Sequence, residues 1–128
     1  METQITKGIK ISVETTFKGT SLSNHNLYYA FSYAITIENK SNETVQLTDR
    51  YWEIFDSLNQ IEVVAGEGVV GQSPILKPSE KYTYSSGCFL TSNMGAMRGF
   101  YSMTNQETFD QFRVMIPTFQ LTNPLLLN

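Results

Sequence analysis

The sequence predicts an all-β chain folded as an antiparallel sandwich, on three observations. Apolar and polar residues alternate with period two along most of the chain, no stretch sustains a helical period, and short polar turns separate the alternating runs. Successive side chains of a strand point to opposite faces, so alternation buries one face and wets the other. About seven such runs, mostly hairpin-linked, suit two packed sheets of the fibronectin type III or immunoglobulin-like kind. A small antiparallel barrel is the alternative. Parallel α/β folds are disfavoured, because no segment reads as a crossover helix.

The first run places Ile9, Ile11, Val13, Thr15 and Phe17 on one face and Lys10, Ser12, Glu14, Thr16 and Lys18 on the other. Gly19 to Asn26 reads as a turn-rich break. Phe31, Tyr33, Ile35 and Ile37 line one face of the next run, and Asn39 to Glu43 is a polar turn. Between Thr44 and Phe55 the apolar parity changes: Val45 and Leu47 are odd, Trp52 and Ile54 even. A bulge near Asp49–Arg50 restores a single buried face. After a turn at Ser57–Asn59, the run Ile61, Val63, Ala65 forms the second arm of a hairpin.

Residues 66–79 hold three glycines and two prolines, too many breakers for a helix. Lys81 to Ser86 reads as a strand with Tyr82 and Tyr84 on one face, followed by an irregular stretch from Cys88 to Gly95. Met97 to Met103 is apolar on both faces and reads as a central strand. Thr104 to Thr108 turns. Phe112, Val114 and Ile116 form the last strand, stopped by Pro117, with Leu121 covering an edge.

The 128 residues fit one domain, 1–128, large enough to fold without disulfides or metal. Hydrophobic residues at 41 % against 16 % charged predict a packed core rather than disorder. A net charge of −3 without clustered Lys and Arg argues against nucleic acid as a partner. The lone cysteine, Cys88, precludes an intrachain disulfide. With a lone histidine, His25, and scattered acids, neither a zinc site nor a carboxylate cage is expected; no bound metal or cofactor is assigned. The start METQITKGIK lacks the apolar stretch of a signal peptide, and no apolar run approaches the ~20 residues of a membrane span. A cytoplasmic location without membrane contact is the expectation.

Gly66-Glu67-Gly68-Val69-Val70-Gly71 is a literal G-x-G-x-x-G following a strand. In a dinucleotide site, such glycines admit a pyrophosphate and a helix N-terminus holds it. Here Pro74 and Pro78 forbid that helix, so the run reads first as a structural loop, with an anion nest as the alternative. Arg50 and Arg98 lie beside bulged or glycine-rich stretches; each is placed to pair with a carboxylate such as Asp49, Asp56 or Glu67, or to hold an anion. Trp52, Ile54, Tyr84 and Tyr101 are read as structural core. His25 sits in a polar break and Cys88 at a strand exit; no base–nucleophile pair can be assigned from them.

Several of these pieces, in order, resemble the ApaG domain family. They are Arg50-Tyr51-Trp52 with Ile54 and Asp56; Gly66 to Gly71; Pro74, Leu76 and Pro78; Tyr84-Ser85-Ser86-Gly87-Cys88; Met97-Arg98-Gly99 with Tyr101; and Ile116-Pro117 with Phe119 and Leu121. The chain departs from the family pattern at Ser79, where a glycine is usual, and at Ser92-Asn93, where a Thr-Pro pair is usual. The resemblance implies a fibronectin type III-like sandwich, protein–protein contact, and an association with cobalt and magnesium efflux that names no chemical step. The function expected is a non-catalytic interaction module with an unknown protein partner, linked to cobalt and magnesium homeostasis indirectly. The alternative is a binder of a phosphorylated small molecule through Gly66 to Gly71.

Overall fold

The computed structural model describes residues 1–127. Its strands are β1 (Glu2–Thr6), β2 (Ile9–Ser23), β3 (Asn26–Asn39), β4 (Val45–Asp56), β5 (Glu62–Glu67), β6 (Ile75–Leu76), β7 (Lys81–Leu90), β8 (Met94–Asn105) and β9 (Gln111–Thr122), followed by one turn of 3-10 helix at Pro124–Leu127. One sheet runs β1-β2-β3-β7 and the other β5-β4-β8-β9, with β6 also pairing β4. All pairings are antiparallel. The two sheets form the expected β-sandwich: β2-β3-β7 faces β5-β4-β8-β9, and β1 and β6 are additions to that frame.

The alternating runs become the inner faces. Ile9, Ile11 and Val13 from β2 and Phe31, Tyr33, Ile35 and Ile37 from β3 are buried against Val45, Leu47, Trp52 and Ile54 from β4. The parity change in β4 is a bulge: pairing with β8 shifts register between Leu47 and Asp49. That extra residue turns Arg50, Trp52 and Ile54 to the same inner face as Val45 and Leu47.

Four local expectations are corrected. Gly19 to Asn26 is not a break: β2 continues to Ser23 through a bulge at Lys18, and the chain reverses only at Asn24 and His25, both with positive φ. The arm after Ser57–Asn59 has its faces exchanged: Val64 packs on the core while Ile61 and Val63 are exposed. The segment from Cys88 to Gly95 is mostly strand, because Phe31 and Ala30 of β3 supply partners for Cys88 and Phe89. Pro117 does not end β9; it sits where the β8–β9 register shifts, so its missing N–H leaves no ladder gap, and Phe119 and Leu121 return to the core.

The sandwich is closed along one side and open along the other. At one side β1 and β2 pack against β9, and the Met115 backbone N–H donates to the Thr6 hydroxyl at 3.3 Å. At the other, β5 and β7 end their sheets and share no such packing.

Candidate functional site

The gap between β5 and β7 is a cleft of about 530 Å³. Trp52, Ile54, Tyr33, Tyr84 and Met97 line its depth, and Val70 and Phe89 stand at its rim. Val70 is 63 % and Phe89 68 % exposed, so two large apolar side chains face solvent beside an aromatic floor. Trp52 is buried within edge-to-face or tilted contact of Tyr33, Tyr101 and Phe119, with ring centroids 5.5, 6.5 and 5.8 Å away.

Arg50 reaches the cleft because the β4 bulge turns it inward. Its Nη1 donates to the Glu67 and Gly68 carbonyls at 2.8 and 3.0 Å. The guanidinium lies against Gly66, where a Cβ would approach its nitrogens to 3.1 Å. Arg50 therefore meets loop backbone rather than the carboxylates of Asp49, Asp56 or Glu67. Arg98 stands on the outer face of its sheet, where its Nε donates to Glu53 at 2.8 Å and its guanidinium covers Phe55.

The glycine loop is held by its own amides. Gly68 N–H donates to the Thr48 carbonyl at 2.8 Å, and Val69 and Gln72 exchange backbone hydrogen bonds of 2.7 and 2.9 Å. Gly68 has φ +62°, and a Cβ there would lie 2.2 Å from the Gln72 carbonyl oxygen. Val69 points into the core at 0 % exposure. Glu67 and Gly66 belong to β5 and pair with Asp49 and Arg50. Val70 and Gly71, both with positive φ, form the tip. A β-branched residue seldom adopts that conformation, so the turn holds Val70 outward at a conformational cost.

Tyr33 and Tyr84 line the depth of the cleft, and Tyr101 is fully buried beside them. Tyr84 and Tyr101 hydrogen-bond one another across the two sheets. Burial raises the pKa of Tyr101, Tyr84 and Tyr33, and the nearby Arg50 charge opposes the rise at all three. Ser86 lies beside the Tyr33 hydroxyl. Cys88 also lines the cleft, its thiol pushed up to about 11 by burial, then by Glu62 and Asp56. It is a neutral thiol near pH 7, not an activated nucleophile. His25 sits at the β2–β3 turn, six residues before the β3 partner of Cys88, roughly 20 Å along an extended strand. The two do not form a pair. Among the described residues, no three His, Cys, Asp or Glu side chains converge as metal ligands, and no helix is long and apolar enough to cross a membrane.

Tyr33, Ser86 and Phe89 were not singled out by sequence as site residues. Tyr33 reads as one more alternating core position, and Phe89 falls in a stretch with no visible period. Asp56, at the end of β4, holds the β7–β8 connection: its carboxylate accepts from Thr91 N–H and hydroxyl at 2.6 and 2.8 Å and from Ser92 at 2.6 Å. Burial works against its charge, but the hydrogen bonds from Ser92, Thr91 and Leu58 outweigh it and lower its pKa.

A family model described as the ApaG domain matches residues 19–105. The chain is 41 % identical over 124 residues to the Protein ApaG of Brucella canis, spanning 97 % of this chain and 95 % of that protein. An X-ray structure from a structural genomics consortium superposes with a TM-score of 0.89 at 36 % identity, covering 94 % of this chain and 91 % of that one. The crystal structure of an ApaA protein of Bordetella pertussis gives 0.80 at 33 % identity, covering 91 % and 94 %.

Proposed function

The chain belongs to the ApaG domain family, and from that premise we propose that it is a non-catalytic protein-recognition module whose contact surface is the cleft between β5 and β7. One observation carries the reading: a ten-residue strand, β7, ends its sheet beside an apolar-rimmed cleft. An unpaired edge offers a row of backbone donors and acceptors to an incoming strand. Sheets guard such edges with charge, yet among β7 residues Lys81 alone is charged. Val70 and Phe89 then supply apolar contact at either rim. The reading agrees with a neutral Cys88 thiol remote from His25. It also agrees with a glycine loop whose Gly68 and Val69 amides are engaged inside the protein, which weighs against a phosphate cradle. In this reading a link to cobalt and magnesium homeostasis runs through the bound partner.

The test is capture from a native lysate with the wild-type chain, a Val70→Asp, Phe89→Asp double variant, and Phe109→Asp at the opposite end. Phe109 is 75 % exposed with φ 61°, which aspartate tolerates. Partners held by the wild type and by Phe109→Asp should be lost by the double variant. Recovery of the same partners at equal yield by the double variant would remove the cleft as the contact surface.

A further inference from the structure

We infer that the floor of the cleft is a carboxylate-recognition site, and that the extended segment it takes presents an Asp or Glu side chain to Arg50, Tyr84 and Tyr33. The inference rests on the docking reading above and adds the chemistry of the occupant.

The first ground is an uncompensated charge. Arg50 is half-buried and lines the cleft, yet among the described residues the ion pairs include none to it. Nη1 alone is engaged, by two neutral carbonyls. Nη2 and Nε have no protein acceptor among the described residues. A guanidinium held out of bulk water without an anion is unfavourable, and a carboxylate matches its planar fork with two parallel hydrogen bonds. The two Nη1 bonds and the flat contact with Gly66 fix the fork before anything binds, so little rotamer entropy is lost on docking.

The second ground is a count of hydroxyl protons. Tyr101 is fully buried and its hydroxyl touches no partner but that of Tyr84, so its proton goes to Tyr84. The Tyr84 hydroxyl, which accepts that bond, keeps its own proton and lines the cleft. Tyr33 lines the same wall beside Ser86, whose hydroxyl lowers the Tyr33 pKa by donating to its oxygen and so leaves the phenolic proton free. Two phenolic donors beside a free guanidinium edge make a site rich in donors and short of acceptors. Glu62, on the β5 rim, is the acidic group that lines the cleft; it is exposed and makes no ion pair with Arg50. Asp56 bears on Cys88 from the end of β4, outside the cleft lining, where Thr91 and Ser92 already engage it. The flanking Val70 and Phe89 favour apolar neighbours on either side of the acid.

The experiment titrates the full chain, by amide and arginine Nε–Hε NMR shifts, with a short blocked peptide of alternating valine and threonine bearing one central glutamate. Parallel arms use the same peptide with glutamine and sodium propionate alone. The glutamate peptide should perturb β5, β7 and the Arg50 Nε–Hε signal and bind at least about tenfold tighter than the glutamine peptide. Arg50→Gln should abolish that preference. Tyr33→Phe, which leaves the Arg50 contacts to the loop in place, should narrow it several-fold; Arg98→Gln should leave it intact. Equal binding of both peptides at β7 would overturn the carboxylate site and leave the docking surface standing. No shift in β5 or β7 with either peptide would overturn both. Propionate saturating the Arg50 signal at the peptide's concentration would overturn the peptide in favour of a small carboxylic acid.

Discussion

The two lateral sides of the sandwich solve the same problem differently. Where β1 and β2 lie against β9, apolar residues of both sheets interlock and the edge strands cover one another. Where β5 and β7 part, the core is roofed by a glycine loop and one arginine, and tyrosine hydroxyls stand where methyl groups would otherwise pack. Closure favours stability. The open side retains polar groups and leaves Val70 and Phe89 exposed, which in the proposed reading is a surface kept for contact. Stability and recognition should therefore separate by side.

The largest expected effect lies beneath both sides. Trp52→Ala removes the ring on which the two walls rest and should destabilise by about 3–5 kcal/mol, measured as a shifted denaturant midpoint. A loss below ~1 kcal/mol would mean that the cleft floor is not part of the core. On the closed side, Leu121→Ala should cost about 2–5 kcal/mol. On β5, at the open side, Val63→Ala should cost less than about 0.5 kcal/mol, because Val63 lies on the outer face and is 55 % exposed. Equal losses would erase the contrast.

Titration gives a finer cut. Tyr33, Tyr84 and Tyr101 have folded pKa values raised above the ordinary 10.0. Their protonated forms add stability that is fully present below pH 10.0 and lost as pH rises toward the folded values. Alkaline unfolding should thus set in above pH 10.0, and the Tyr84→Phe, Tyr101→Phe double variant should show a shallower pH slope there. Asp56 runs the other way. Its folded pKa lies below the ordinary 3.8, so its contribution is present above 3.8 and lost as pH falls through the folded value. The stability gap between wild type and Asp56→Asn should shrink under acid; a gap that widens as pH falls would contradict the assignment. At the rim the sign reverses: Val70→Gly should leave stability unchanged or raise it by up to ~1 kcal/mol, since a left-handed valine gives up its strain.

Much of the fold was legible in particular residues. Ile9 to Val13 and Phe31 to Ile37 state their buried faces outright, and the parity switch between Leu47 and Trp52 demands a bulge, found one residue before the expected position. Elsewhere composition misled. Gly19 to Ser23 looks like a turn but is held in a ladder by β3, and Pro117 looks like a stop but lies at a register shift. The glycine motif was legible as a loop; its role in anchoring Arg50 was not, because the carbonyls it offers are backbone groups that no sequence pattern marks.

By itself, the sequence determined the class: an antiparallel β-sandwich, its inner faces, its glycine and proline loop, and its likeness to a family. Those features follow from local alternation and from the order of short motifs. Only the tertiary structure decided that β3 lies beside β7 and β4 beside β8, pairings between strands far apart in the chain. That arrangement brings Arg50, Tyr33, Tyr84 and Phe89 to one cleft, and leaves Arg98 on an outer face with Glu53. The physical reason is that alternation specifies which face a side chain occupies, whereas the neighbour across a sheet or a core is set by how the sheets close, and here they close on one side only.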